Sequence, residues 1–216
     1  MQQGELFIVS APSGAGKTTI IRRLMDGPLG RSGSLVYSVS HTSRPARANE
    51  TEGGDYYFID VPTFERMAAE SAFLEWAEVH GEYKGTSRDK VIRALEDGLD
   101  VLVDIDVQGA EQLLEKMPQA HSIFILPPSY EELERRLRGR GLDRDEAIAR
   151  RLAVSLWEIE RYRNYDYVIV NRDLERASDT LAAIILDKQH RLARMQDRVA
   201  KVVENFSERI APDGRR

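Results

Sequence analysis

Short apolar runs and segments with helical spacing alternate along most of the chain. The runs LFIVS, LDVLVDID, SIFIL and DYVIV occupy 6–10, 99–106, 122–126 and 166–170, and each has the length of a buried strand. Amphipathic segments separate them, and this alternation predicts right-handed βαβ units and a parallel sheet. The expected fold class is therefore α/β, with helices flanking the sheet.

The segments between the strands carry helix start and stop signals. KTTIIRRLM has apolar residues at three–four spacing and ends at Gly27 and Pro28. Two capping boxes open further helices: Ser129 with Glu132, and Asp143 with Glu146. We also expect helices over 63–70, 91–98, 108–116 and 173–207.

The long helix predicted at the end of the chain has an apolar stripe, formed by Leu192, Met195, Val199, Val202 and Phe206. We expect this stripe to pack on the core, which is the usual role of an apolar helix face. A partner helix in a homo-oligomer is the alternative, so the sequence leaves monomer and homo-oligomer open.

Two segments break the strand–helix alternation. Residues 35–90 are aromatic, charged and rich in strand signals, with strands expected at 35–39, 55–60 and 73–79. They indicate an inserted β-rich lobe. Residues 127–162 are rich in arginine and acidic residues and indicate a mobile helical arm.

Composition narrows the class of protein. The 216 residues suffice for one sizeable core, and the formal net charge of -5 gives no general attraction for nucleic acid. With no cysteine, disulfides and thiolate metal sites are excluded, and the four histidines are scattered along the chain. We see no secretory signal and no apolar run long enough to span a bilayer. A soluble, cytoplasmic protein is expected.

The stretch SAPSGAGKTT follows the first strand and opens the first helix, as a Walker A phosphate loop does. Gly14 and Gly16 let the backbone turn its amides inward around phosphate oxygens. Lys17 would reach the β- and γ-phosphates, and Thr18 would ligate magnesium. Ala11 replaces the first glycine of the motif, which requires a backbone there without positive φ.

Charged side chains at two further places suggest ligand contacts. Asp104 and Asp106 end the strand VLVDID, where parallel sheets bind their ligands, and they are candidates for a metal or ligand role. Arg44 and Arg47 could clamp one phosphate, with Tyr56 donating its hydroxyl to the same group. Taken alone, that arginine stretch reads equally well as a solvated surface loop.

Eight motifs, in order, resemble the guanylate kinase family of P-loop nucleoside monophosphate kinases: SGAGKTT, SVSHTSRPAR, GGDYYF, FLEWAEVHGEYKGTS, DIDVQG, RLRGRG, RRL and YVIVN. The resemblance covers about residues 6–173. It implies a P-loop NTPase-type parallel sheet and the magnesium-dependent transfer of a phosphoryl group from ATP to GMP, giving ADP and GDP in guanine nucleotide biosynthesis and recycling.

The resemblance also implies a division of the single domain 1–216 and a set of site residues. The core would be 1–34, 91–127 and 159–208, the GMP-binding lobe 35–90 and the lid 128–158. The implied ATP contacts are Ala11, Pro12, Ser13, Gly14, Ala15, Gly16, Lys17, Thr18, Thr19 and Asn171. The implied GMP contacts are Ser40, Arg44, Arg47, Tyr56, Glu75, Lys84, Thr86 and Asp106. Transfer would depend on Lys17, Arg44, Arg140 and Arg151, with Mg2+ carried by ATP and held by Thr18 and Asp104.

Base chemistry supports one of these contacts independently. Guanine presents two adjacent donors, N1–H and the N2 amino group, and the carboxylate of Glu75 can accept both. Two residues depart from the family pattern. Lys84 stands where a tyrosine is common, and Arg172 stands where an acidic residue is common.

Three other functions are weighed against the kinase. A guanylate-kinase-like interaction module would have a degraded phosphate loop, and a kinase for an acceptor such as ribose 1,5-bisphosphate would not need the guanine-reading residues. The basic run RRLRGRG at 135–141 could be a nucleic-acid patch, although the negative net charge argues against it. The expected partners are ATP and GMP, with use of dGMP left open.

Overall fold

The computed structural model of the chain describes residues 3–79, 81–139 and 145–210. The strands are β1 Leu6–Ser10, β2 Leu35–Ser38, β3 His41–Thr42, β4 Tyr57–Phe58, β5 Phe73–Val79, β6 Glu82–Ser87, β7 Asp100–Asp104, β8 His121–Leu126 and β9 Tyr167–Val170. The helices are α1 Lys17–Asp26, α2 Pro28–Arg31, α3 Val61–Ala69, α4 Arg88–Glu96, α5 Val107–Lys116, α6 Tyr130–Arg138, α7 Asp145–Ile159, the 3-10 helix Glu160–Asn164, α8 Leu174–Gln189 and α9 Leu192–Ile210.

Five strands form the central sheet in the order β2-β7-β1-β8-β9, and every neighbouring pair is parallel. This confirms the predicted parallel α/β sheet. Helices cover both faces, so successive residues of β1 enter different clusters: Phe7 and Val9 lie with α1 and α8, whereas Leu6 and Ile8 lie with α4 and α5. Burial on both faces explains the unbroken apolar runs in the sequence.

The predicted lobe contains a second sheet, in the order β4-β3-β6-β5, with β5 and β6 antiparallel. Phe64 of α3 is 1% exposed and stacks on Phe73 of β5 with ring centroids 4.6 Å apart. The strand expected at 55–60 is only Tyr57–Phe58. The lobe was expected to begin at residue 35, but β2 is an edge strand of the central sheet. The division into core, lobe and lid stays a prediction.

Helices α6 and α7 share a small apolar cluster of Leu133, Leu137, Ile148 and Leu152, separate from the two core clusters. Ser129 caps α6 by accepting from the backbone N–H of Glu132, as predicted. The Glu132 carboxylate pairs with Arg135 and Arg136 on its own helix. Asp143, which opens the second predicted capping box, lies outside the described residues.

The single helix predicted over 173–207 is wrong, because the chain breaks into α8 and α9 after Gln189. The break brings the ends of both helices onto one buried carboxylate. The Gln189 amide donates to Asp100 Oδ2 at 2.8 Å, and the Arg194 guanidinium donates to Asp100 Oδ1 at 2.7 Å. Periodicity cannot reveal such a break, since the apolar spacing continues across it.

The stripe on α9 does not pack on the core, so that expectation is also wrong. Leu192 is 71% exposed, Val202 55% and Phe206 62%. The partner helix in a homo-oligomer, the alternative reading, stays a prediction. In the described ranges no helix has the length and apolar character needed to cross a membrane.

Candidate active site

A cleft of about 730 Å3 lies at the carboxyl end of the central sheet, between the phosphate loop and the second sheet. It brings together most of the site residues predicted from the sequence: Ala11, Pro12, Ser13, Gly14, Gly16, Lys17, Thr18, Thr19, Ser40, Arg44, Arg47, Tyr56, Glu75, Lys84, Asp104, Asp106 and Arg151. Ala15, Thr86 and Asn171 do not line it, and Arg140 lies outside the described residues.

The phosphate loop has the backbone geometry that its glycines suggest. Gly14 and Gly16 have φ of 89° and 95°, in the left-handed region that disfavours side chains. Helix α1 begins immediately afterwards at Lys17, so its N-terminal amides face the same cleft. Ala11 is accommodated because, among the described non-glycine residues, only Ser71 has positive φ.

The side chains of Asn171 and Arg136 donate hydrogen bonds to a backbone carbonyl of the phosphate loop. The Ala15 carbonyl accepts from the Asn171 side-chain amide at 2.7 Å and from the Arg136 guanidinium at 3.1 Å. Arg136 also donates to the Asn171 carbonyl at 3.1 Å. A Cβ at Gly16 would lie 2.5 Å from the Asn171 amide nitrogen, so this position excludes a side chain. Sequence reasoning assigned no role to Arg136, although it lies in the basic run and begins the motif RLRGRG.

Lys17 is held by the end of β7. Its ammonium nitrogen lies 2.6 Å from Asp104 Oδ1 and donates to the Ile105 carbonyl at 2.7 Å. Thr18, Asp104 and Asp106, which all carry oxygen atoms in their side chains, line the same cleft. This all-oxygen set fits a magnesium ion that arrives with a nucleotide and keeps several of its own ligands. In the described part of the chain, no group of three or more His, Cys, Asp or Glu side chains could hold a metal alone.

Arg44 is buried, at 7% exposure, so the surface-loop reading does not describe it. Its two terminal nitrogens donate to the two oxygens of Glu50, at 2.6 Å and 2.5 Å. Arg44 holds the pKa of Glu50 down at about 2. The backbone N–H of Arg47 donates to the same carboxylate at 2.9 Å. Glu50 was not predicted, and it fills the planar fork that a phosphate would bind.

Aromatic and basic side chains surround this arginine. The Arg44 guanidinium lies 4.9 Å from the centroid of the Tyr56 ring, and the Lys84 ammonium lies 5.8 Å from the same ring. Lys84 lines the cleft and does not point away from it. Its charge therefore adds to that of Arg44 on this side of the cleft.

Glu75 is a buried carboxyl group with an oxygen on the cleft. It is 4% exposed and accepts from the Thr86 hydroxyl at 2.5 Å. Burial raises its pKa to about 7, and Asp106 adds to the effect. A Cβ at Gly109 would lie 2.4 Å from Glu75 Oε2, so glycine makes room for it. Thr86 therefore contacts the carboxylate of Glu75 and does not itself line the cleft.

Helix α7 contributes two charged groups to the cleft, the predicted Arg151 and the unpredicted Glu158. Glu158 Oε2 lies 3.4 Å from the backbone nitrogen of Ser13 in the phosphate loop, which donates to it. Burial raises the pKa of Glu158. A lone glutamate in a predicted helix gives no signal for such a contact.

The central sheet is parallel, and a glycine phosphate loop follows its first strand. The adjoining cleft carries both positively and negatively charged side chains. Together these features define a P-loop nucleotide-binding enzyme. The family model for guanylate kinase matches residues 3–188. The chain is 50% identical over 199 residues to the guanylate kinase of Salmonella typhimurium and 49% identical to that of Escherichia coli, covering 92% of this chain and 95% of each relative.

A solved structure agrees with these sequence matches. The crystal structure of guanylate kinase from Anaplasma phagocytophilum superposes with a TM-score of 0.72 at 35% identity, covering 90% of each chain. The chain belongs to the guanylate kinase family. The resemblance inferred from the ordered motifs is thereby confirmed.

Proposed function

We propose that this chain transfers the γ-phosphoryl group of ATP to GMP, giving ADP and GDP in guanine nucleotide synthesis and recycling. The observation that carries the proposal is the two-sided cleft. The phosphate loop and Lys17 lie on one side, with Arg44 and Glu75 on the other. This is the arrangement that a donor polyphosphate and an acceptor nucleotide monophosphate require.

On the donor side, the loop amides and Lys17 would hold the β- and γ-phosphates. Thr18 and Asp104 would hold Mg2+, which would supply positive charge against the phosphates of ATP. Asp104 now pairs with Lys17 at 2.6 Å, so both groups would exchange this contact for ligand contacts when nucleotide binds.

On the acceptor side, Arg44, Arg47 and Tyr56 would hold the phosphate of GMP, with Lys84 as an additional cation. Arg44 would release part of its bidentate contact with Glu50 to do so. Glu75 would accept N1–H and the N2 amino group of guanine, with Ser40, Thr86 and Asp106 beside it. Adenine presents an acceptor at N1, so it would face a carboxylate without a donor.

The transfer needs alignment and charge neutralisation and no general base, since a phosphate oxygen of GMP is already a competent nucleophile. Charge builds on the equatorial oxygens of the moving group. Lys17, with Arg140 and Arg151 of the proposed lid 128–158, would surround that charge. Closure of the lid and of the lobe 35–90 over the core would exclude water and limit hydrolysis of ATP.

ATP and GMP are the proposed substrates, with the cytoplasm, where both nucleotides are abundant, as the proposed location. We expect no nucleic-acid function for the run at 135–141, because three of its arginines are already engaged: Arg135 and Arg136 pair with Glu132, and Arg138 pairs with Glu134. The intact phosphate loop likewise favours an enzyme over a binding module.

A coupled ADP-release assay with magnesium-ATP tests the proposal. The acceptors are GMP, dGMP, AMP, CMP, UMP and ribose 1,5-bisphosphate, each supplied alone. We expect ADP to form with GMP and little ADP to form with the other acceptors, dGMP excepted. The rate with dGMP, compared with that for GMP, shows whether the sugar hydroxyl contributes to recognition. Folded protein that turns over none of them would refute the proposal.

A further inference from the structure

Glu158 occupies an unexpected position for an acidic side chain in a polyphosphate site. It belongs to α7, yet its carboxylate accepts from the backbone N–H of Ser13, at 3.4 Å, in the phosphate loop. Loop amides of this kind are donors for phosphate oxygens. The carboxylate therefore occupies an anion position on the loop that a nucleotide would need.

Arg151 and Glu158 lie on one face of the same helix. They are seven residues apart, which is about two turns, and both line the cleft. Incoming phosphates would attract the guanidinium and repel the carboxylate. One helix thus carries two groups with opposite responses to the same ligand.

We propose that Glu158 is a positioning residue that holds α7 on the phosphate loop through Ser13 and withdraws from Ser13 when a polyphosphate enters. Its withdrawal couples the binding of ATP to a movement of the helix that carries Arg151. This inference rests on the proposed function, in that it takes ATP as the ligand of the loop.

The charges around Glu158 favour its withdrawal over an arrangement in which its carboxylate and a polyphosphate both stay on the phosphate loop. Lys17 attracts the carboxylate of Glu158, and Asp106 repels it. A bound polyphosphate would take over Lys17 and add negative charge to that of Asp106. Glu158 would then lose its attractive partner and gain a repulsive one in a partly buried space, where charges are weakly screened.

The first test measures the affinity for magnesium-ATP by titration calorimetry without GMP. Glu158→Gln keeps the shape of the side chain and removes its charge, so we expect ATP to bind about three- to tenfold more tightly. Glu160→Gln is the matched control, because it removes the same charge from an exposed residue of the following 3-10 helix. Its ATP affinity should equal that of the wild type.

Glu158→Asp provides a second variant that keeps the charge but shortens the reach to Ser13 by one methylene. We expect a smaller gain in ATP affinity than for Glu158→Gln. Unchanged or weaker binding of ATP by Glu158→Gln would overturn the proposal, and so would an equal gain with Glu160→Gln.

A fluorescence measurement reports the movement of the helix. Trp157 neighbours Glu158, and the chain's other tryptophan, Trp76, can be replaced by phenylalanine. In the Trp76→Phe protein, magnesium-ATP should change the emission of Trp157. With Glu158→Gln added, the nucleotide-free emission should already approach the ATP-bound one; a wild-type response to ATP in that double variant would refute the coupling.

The two proposals fail separately, because these measurements use no acceptor. If the wild type binds ATP but never phosphorylates GMP, the proposed acceptor is wrong and the Glu158 result stands. If GMP is phosphorylated and Glu158→Gln leaves ATP binding unchanged, the proposed function stands and the role of Glu158 is refuted.

Discussion

The two ends of the central sheet both carry buried charge, but they use it differently. At the amino end, Asp100 is 1% exposed and accepts from the Glu5 backbone, Gln189 and Arg194. At the carboxyl end, Lys17 pairs with Asp104 and Arg44 pairs with Glu50 beside an open cleft. The Asp100 carboxylate is buried and accepts from protein groups, whereas the pairs of Lys17 and Arg44 border a cleft that a ligand can enter.

This contrast suggests how to separate structural from functional ion pairs. The amino-end network joins β1, β7, α8 and α9, so removing a member should cost stability and leave chemistry intact. The carboxyl-end pairs contain Lys17 and Arg44, the two cations that the proposed function assigns to substrate phosphates. Removing Lys17, which lines the cleft, should cost activity and little stability.

The largest expected effect is that of Lys17→Met at the carboxyl end. Loss of a charge aimed at the transferred phosphoryl group should lower kcat with GMP by about 10³-fold. The free energy of unfolding should change by less than about 1 kcal/mol, because Lys17 lines a cleft and fills no core. The coupled ADP assay and urea unfolding measure the two quantities. A much lower free energy of unfolding for Lys17→Met would contradict this prediction and show that Lys17 stabilises the fold.

Asp100→Ala is the corresponding change at the amino end. It leaves the Arg194 guanidinium and the Glu5 amide without their buried acceptor, so the free energy of unfolding should fall by about 3 kcal/mol. The kcat with GMP, measured where the variant is folded, should stay near the wild-type value. Asp187→Ala, which removes an exposed pair with Arg191, is the control and should cost less than about 0.5 kcal/mol. Equal losses for both variants would contradict the comparison.

The two ends also differed in how well the sequence predicted them. The phosphate loop, Arg44 and Glu75 were predicted because guanylate kinases share ordered motifs there, and the comparisons confirm the family. The Asp100 network was missed because its members, Glu5, Gln189 and Arg194, are far apart in the chain and carry no motif. Long-range pairing of single charges leaves no periodic signal.

The same reasoning explains the errors in the last helix. Apolar spacing predicted one helix packed on the core, but the contacts of Gln189 and Arg194 with Asp100 accompany a break, and the stripe on α9 faces outward. Glu50 and Glu158 were missed for a related reason. A glutamate is most often a solvated surface residue, so composition cannot reveal one that fills a phosphate position.

Arg44→Ala tests whether Arg44 binds the phosphate of GMP. We expect weaker binding of GMP, by about 10²-fold, and slower transfer, because the bidentate contact is lost. Binding of ATP should be nearly unchanged, since Arg44 is proposed to bind the acceptor. Calorimetric titration with each nucleotide separates the two sides. An equal loss of ATP affinity would refute the assignment of Arg44 to GMP.

The smallest expected effect concerns the protonation of Glu75. Burial raises its pKa to about 7, and only the ionised form accepts both donors of guanine. Below its pKa the group must lose a proton before GMP binds, so the dissociation constant should rise about tenfold as the pH falls from 8 to 6. Titrations of GMP across this range measure the change.

The phosphate of GMP also titrates near pH 6, so a control has to remove that contribution. Glu75→Gln retains the shape of the side chain and has no ionisable group, and its pH dependence reports the phosphate alone. Because the pKa of Glu75 is about 7, we expect the difference between the two profiles to show about half a proton released when GMP binds at pH 7 and nearly one at pH 6. Identical profiles would mean that protonation of Glu75 does not affect the binding of GMP between pH 6 and 8, and would refute this prediction.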